Sequence, residues 1–300
     1  MKSDTVYLNG HFLPSDQAKI SVFDRGFLFG DSVYEVIPFY QGVGFRLDEH
    51  LQRLDYSLRA LRISIDLDIR GVLVDLVARN GGGNMSVYIQ ITRGAADKRS
   101  HAITDGLRPT VFACCQPIRD IYTDGSATVE GIKVIVTADL RWRRCDIKSN
   151  CLLPNILVLQ QAKEHNAQEA LLQRDGHLTE GASCNFFIVE RGVLYTPPLD
   201  TGILSGTTRA LILEIADSQG IPRQECPIDY ERLVNADEVW ISSSTRAIVP
   251  VLQVDEYPIG NGDKGPLWKR FFDIFTRYQH NLMTGANHEP EDPSTSDGTP

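Results

Sequence analysis

Long apolar runs are missing from this 300-residue chain. Nothing in it approaches the ~18 consecutive apolar residues that a membrane-crossing helix needs, so the expected protein does not span a membrane. The opening MKSDTVYLNGHFLP also lacks the roughly 7–15-residue apolar core of a secretory signal, and the expected location is the cytoplasm. A basic excess is missing too. A formal charge of -9 and a pI near 5.3 argue against a nucleic-acid partner, which would want clustered Lys and Arg. Cysteine spacings for a metal are absent. Cys114 and Cys115 are adjacent in an apolar run, and Cys145, Cys151, Cys184 and Cys226 form no C-x-x-C pair. They read as small buried thiols in a reducing compartment, and no metal site is expected.

What remains is ordinary globular material. Hydrophobic residues make up 42% of the chain, and its length suggests two domains of ~150 residues. VYLNGHFL carries a hairpin signal at Asn9-Gly10, and VYEVIPFYQGVGFRL a second turn at Gln41-Gly42. Leu51, Leu54, Leu58 and Leu61 recur at helical steps after Asp48, a suitable N-cap. A second helix is expected over 68–80, ending at three glycines, and strands over 86–94 and 109–117. The polar, turn-rich stretch after residue 118 marks a domain boundary. Beyond it come a strand at VIVTADL, helices over 154–166, 207–219 and 264–282, and hairpins turning at Asp175-Gly176 and Arg191-Gly192. VWISSS and PVLQV read as further strands. The expected class is α+β: a smaller domain over 1–118, a larger one over 119–282, and a polar, Pro-rich tail over 283–300 expected to be disordered.

The chain holds eight lysines against twenty-two arginines, which makes Lys148 in LRWRRCDIKSN conspicuous. Arg141, Arg143 and Arg144 nearby would disfavour an ammonium and free an amine for Schiff-base chemistry; a surface lysine in a basic loop is the plainer reading. Glu180 in HLTEGASCNFFIV suits a partner for a pyridine nitrogen, or an ordinary turn, with Ser183 and Asn185 as turn formers. Gly206-Thr207-Thr208 opens an apolar-periodic helix, whose free N–H groups suit a phosphate or are capped without a ligand. Ser242–Ser244 add hydroxyls, or a loop. Arg99 and His101, two apart in an extended segment, point the same way and suit a carboxylate; a solvated loop often contains both.

Order and spacing bind these signals together. DRGFLFGDSVYEV (24–36), RWRRCDIKS (141–149), LTEGASCNFF (178–187) and ILSGTTR (203–209) resemble the motif series of fold-type-IV pyridoxal-phosphate enzymes, from about residue 5 to 282. The family contains branched-chain aminotransferases, D-amino acid aminotransferases, (R)-selective amine transaminases and aminodeoxychorismate lyase. The resemblance implies that Lys148 carries pyridoxal 5'-phosphate as a Schiff base and moves the substrate α-proton. It implies that Glu180 partners the pyridine nitrogen, that Arg53 of the H-x-x-R segment, Thr207, Thr208 and Ser244 hold the phosphate, and that Tyr34 lines the substrate site. The R-x-H pair Arg99 and His101 resembles the carboxylate trap of the D-amino acid branch, although TRGAADKRSH has one residue more before the arginine than that pattern. The implied activity is transamination between D-amino acids and 2-oxo acids, such as D-alanine with 2-oxoglutarate, by a homodimer. Branched-chain or (R)-amine transamination, and then the lyase, are the alternatives.

Overall fold

The computed structural model describes residues 5–119 and 129–284. Its strands separate into two sheets. The first is wholly antiparallel and contains β1 (Thr5–Leu8), β2 (His11–Pro14), β3 (Ser32–Tyr40), β4 (Val43–Gly44), β5 (Met85–Thr92) and β6 (Thr110–Pro117), in the order β2-β1-β6-β5-β3-β4. Short α1 (Arg25–Phe29) precedes β3, and two helices pack on this sheet: α2 (Leu47–Leu61) on β3, α3 (Ile69–Arg79) on β1, β5 and β6. Along β3 the alternation that puts i and i+2 on one face buries Val33, Glu35, Ile37 and Phe39 completely. Three of these are apolar and one is a carboxylate, which must find partners inside.

The second sheet contains β7 (Ile132–Ala138), β8 (Glu169–Arg174), β9 (His177–Gly181), β10 (Asn185–Glu190), β11 (Val193–Thr196), β12 (Arg223–Glu225), β13 (Glu238–Ser243), β14 (Ala247–Val254) and β15 (Tyr257–Pro258). The order is β12-β11-β10-β13-β14-β7-β8-β9, with β15 on β14. It is mixed: β7 runs parallel to β8 and β14, and β11 to β12. The helices are α4 (Leu153–Glu164), α5 (Thr207–Ser218), α6 (Tyr230–Val234) and α7 (Pro266–Thr284). Central strands are apolar on both faces. Phe187, Val189 and Trp240 meet α5 and the aromatic stripe Trp268, Phe271, Phe272 and Phe275 of α7; Phe186, Ile188, Val239 and Ile241 build a second core with Ile228 and Leu233. Two-sided burial explains why these strands read as continuous apolar runs rather than alternating ones. Tyr40 and Phe45 reach across from the first half into the α7 core. The architecture is α+β.

Several expected elements are adjusted. Helix α2 begins one residue before Asp48: Arg46 occupies the N-cap position with φ 51° and no side-chain cap. Asp48 is drawn instead to Arg70, while Arg46 is held by Glu214 and Glu49. Helix α7 continues through Met283 and Thr284, because Leu282 and Met283 still pack on the aromatic core. The remainder of the expected tail, 285–300, and the stretch 120–128 at the expected domain boundary lie outside the described residues. No helix among the described residues is long and apolar enough to cross a membrane.

Candidate active site

A cavity of about 280 Å³ opens beside Lys148. The lysine sits in the connection from β7 to α4, and the other half of the chain fixes its backbone. Its carbonyl accepts the Tyr34 N–H at 3.0 Å, its own N–H donates to Ser57 Oγ at 3.2 Å, and Val33 bridges Ser149. The Lys148 Nζ lies 4.4 Å from the centre of the Tyr34 ring. Amine and phenol therefore stand together in the cavity wall. The arginines flanking Lys148 are each placed against a carboxylate. Arg141 is engaged by Asp139 and Glu180, Arg144 by Asp146, and Arg143 is exposed, 4.0 Å from Asp175. Each has a carboxylate for its charge.

At one end of the cavity Glu180, on β9, is 5% exposed. It accepts from Arg141 Nη1, from Asn185 Nδ2 at 3.2 Å and from the Leu204 N–H at 3.1 Å. Burial pushes its carboxyl up to about 7, against the opposing Arg141 guanidinium and Leu204 N–H. A carboxyl with its proton poised near neutrality suits a basic ring nitrogen, with which it can share that proton. Cys145 also lines the cavity, but burial pushes its thiol up to about 11. It stays neutral and is no nucleophile.

Glu180 also gives a pH signature. Its folded value lies above the ordinary 4.5, so its favourable contribution is complete below about pH 4.5 and is lost as pH rises through about 7. That difference corresponds to roughly 3 kcal/mol. Cofactor-free wild type is therefore expected to lose thermal stability relative to cofactor-free Glu180→Gln between about pH 5 and pH 8. Unfolding midpoints measured side by side check it; a gap constant across that range would show that Glu180 does not titrate there.

At the other end stands the start of α5. Gly206 is its N-cap, and no side chain caps it, so the first N–H groups at Thr207 and Thr208 have no intrahelical acceptor. A Cβ on Gly206 would lie 2.0 Å from Asn185 Oδ1, so only glycine fits between the helix start and the residue that also holds Glu180. Arg53 of α2 donates from Nη1 to the Ser205 carbonyl at 2.8 Å, which places its cation beside this helix start. Its other edge is gripped by Glu35, at 2.7 Å from Nε and 2.9 Å from Nη2. Glu35 also takes His50 Nδ1 at 2.8 Å, and His50 Nε2 meets Thr207 Oγ1 at 3.2 Å. Burial pushes Glu35 up, yet Arg53 and then His50 hold it well below the ordinary carboxylate range. Burial pushes His50 down, so its ring is neutral. Since ionised Glu35 only accepts, Nδ1 carries the ring proton, and the Thr207 hydroxyl donates to Nε2.

Seven of the nine residues singled out from sequence converge here. Tyr34, Arg53, Lys148, Glu180, Thr207, Thr208 and Ser244 all line the cavity. Arg99 and His101 do not line it. They are exposed on the Phe29 ring, with the Arg99 guanidinium 5.2 Å and the His101 ring 5.3 Å from its centre. Arg25 holds that loop by donating to the carbonyls of Ser100, His101 and Ala102. Sequence reading passed over Glu35, His50, Arg141 as partner of Glu180, and Arg246. For Glu35 a signal existed: a carboxylate at the inward phase of an otherwise apolar strand. Asn185, a turn former by residue type, is instead the brace between Glu180 and the Leu204 carbonyl.

A bound pyridoxal 5'-phosphate fits this donor set. The phosphate would meet the uncapped α5 start and Arg53, the ring nitrogen Glu180, and the aldehyde carbon Lys148. Ser242 Oγ, in the cavity wall, is buried without a hydrogen-bond partner among the described residues, as a hydroxyl awaiting a ligand would be. An amine, a pyridine partner and a phosphate cradle around one cavity define the class of a pyridoxal-phosphate enzyme.

The comparisons agree. Residues 32–254 match the family model described as amino-transferase class IV. The chain is 39% identical over 284 residues to the D-alanine aminotransferase of Bacillus licheniformis, covering 93% of this chain and 97% of that one. Among solved structures it is similar to the Escherichia coli branched-chain amino acid aminotransferase (TM-score 0.85, 29% identity, 96% and 97% of the two chains). It is also similar to the branched-chain aminotransferase of the archaeon Thermoproteus uzoniensis with norvaline (TM-score 0.83, 27% identity, 95% and 96% of the two chains). This chain belongs to the class IV aminotransferases, and its cofactor is pyridoxal 5'-phosphate.

Proposed function

We propose that the enzyme transfers amino groups between D-amino acids and 2-oxo acids, with D-alanine and 2-oxoglutarate giving pyruvate and D-glutamate, and that it works as a homodimer in the cytoplasm. The observation that carries the reading is Lys148 facing one cavity with Glu180 and the α5 start at its ends, in a chain whose sequence relatives are D-alanine aminotransferases. When bound, the cofactor supplies the electron sink that lets an amino-acid α-C–H bond break. Glu180 would hold a proton at the ring nitrogen, with its carboxyl fixed in the cavity wall by Arg141 and Asn185. The α5 N–H groups and Arg53 would hold the phosphate. Lys148 Nζ is the base that takes the α-proton, and stereochemistry follows from which face of the α-carbon presents hydrogen to it.

The substrate α-carboxylate needs a cation not already engaged. Arg99 and His101 stand outside their own chain's cavity, which is the position expected if a second copy brings them to it. Exposed Val22, Phe23, Phe27, Leu153, Ile156 and Leu157 supply apolar surface for such a contact. The branched-chain reading is the second one, favoured by the solved structures. An absorbance spectrum of the holoprotein, before and after D-alanine and then L-leucine on a fresh sample, separates the two. The visible cofactor band should be lost with D-alanine and kept with L-leucine; the reverse would move the enzyme to the branched-chain group. Sedimentation as a single chain would remove the dimer.

A further inference from the structure

We propose that Arg246 receives the distal carboxylate of dicarboxylic substrates, such as 2-oxoglutarate or an acidic D-amino acid, and so sets the side-chain preference of the site. The assignment rests on the transaminase reading above and goes beyond it by naming the residue that reads the side chain. Five cations line the cavity. Four have other work: Arg53 is held by Glu35 at the phosphate end, Arg141 by Asp139 and Glu180, and Arg209 by Glu225 and the Pro197 carbonyl, while Lys148 does the chemistry.

Arg246 differs. It lies on the turn between β13 and β14 with its side chain 34% exposed. One part of the guanidinium is fixed: Nη2 donates to Glu169 Oε2 at 2.5 Å and to Ser183 Oγ at 3.0 Å, and Nε reaches Ser243 Oγ at 3.4 Å. Glu169 is wholly buried and is itself braced by Ser183 Oγ at 2.8 Å and the Ala170 N–H at 3.1 Å. The plane of the fork is thereby set; the Cys184 thiol stands beside the guanidinium, while Nη1 has no oxygen acceptor among the described residues. A pre-oriented guanidinium with donors to spare matches a carboxylate. Ser183, Ser243, Ser244 and Thr245 line the cavity with it, beside Ala182 and Cys184. Hydroxyls complement a carboxylate; they leave a branched aliphatic side chain against polar groups without partners.

The test uses the pyridoxamine-phosphate form of the holoenzyme in single-turnover half-reactions with 2-oxoglutarate and with pyruvate, which lacks the distal carboxylate. Arg246→Gln alone strands the buried Glu169, so the paired variant Glu169→Gln with Arg246→Gln is made beside it to remove both charges. The ratio of second-order rate constants, 2-oxoglutarate over pyruvate, should fall by roughly 10- to 100-fold in both variants, through weaker 2-oxoglutarate binding. A ratio unchanged in the paired variant would make Arg246 and Glu169 a structural ion pair only and overturn the assignment. A wild-type enzyme that reacts with neither 2-oxo acid would overturn the transaminase reading and this assignment together; a wild type that reacts with both leaves the ratio to decide the assignment alone.

Discussion

Lys148→Ala is expected to lose more than ~10⁴-fold in turnover of D-alanine with 2-oxoglutarate. The loss has two sources in one atom. On the proposed reading Nζ, the amine in the cavity wall 4.4 Å from the Tyr34 ring centre, both binds the cofactor covalently and takes the α-proton. General-base catalysis alone contributes ~10²–10⁴-fold, and covalent attachment adds to it. The fold should survive, because Lys148 is held through its backbone, by Tyr34 and Ser57, and alanine keeps both bonds. Borohydride reduction followed by intact mass separates the causes. Wild type should retain the cofactor mass and the variant should not, while circular dichroism of the two stays superimposable. A variant that still turns over within tenfold of wild type would remove Lys148 from the reaction.

The local architecture was legible where short-range chemistry decides it. Asn9-Gly10, Asp175-Gly176 and Arg191-Gly192 all turn with φ positive at both residues, the conformation that a tight hairpin between right-twisted strands demands. Helix α2 was legible from its leucines, although its buried stripe also takes in His50 and Ser57. Polar residues on an apolar face do not show in a hydrophobic period, which is how His50 was passed over. The order of the second sheet was not legible. β7 pairs with β14 and β8 through contacts far apart in the chain, and no local pattern encodes such a neighbour. Lys148, Glu180 and Thr207 each had an ordinary local explanation, and only their shared cavity removes it. The carboxylates around Lys148 were equally hidden: Asp139 and Glu180 meet Arg141, and Asp146 meets Arg144, and only the fold brings Glu180 to that arginine.

Glu35 carries the other large expected effect. Its carboxylate is 0% exposed and binds two side chains of α2 that lie one turn apart, Arg53 and His50. Removing one partner of a buried pair is far costlier than never having had the pair, because the remaining charge keeps its desolvation penalty. Glu35→Ala strands the Arg53 guanidinium, whose side chain is 9% exposed, and leaves His50 Nδ1–H without an acceptor. The cofactor-free variant should lose about 3–5 kcal/mol, read as a lower urea midpoint at constant m-value. Glu35→Gln keeps the shape and one acceptor oxygen, so it should fall between alanine and wild type. The cofactor separates charge from position. On the proposed reading its phosphate would supply the anion that Arg53 has lost, and a contact charge pair at an effective dielectric near 20 is worth ~4 kcal/mol, more than the ~1 kcal/mol of one neutral hydrogen bond. Added cofactor should therefore raise the midpoint of Glu35→Ala by more than it raises that of wild type, while turnover stays low because Arg53, His50 and Thr207 no longer hold one arrangement. Equal gains in the two proteins would mean that Glu35 neutralises nothing the phosphate can replace, and the cradle would then be set by the α5 start alone.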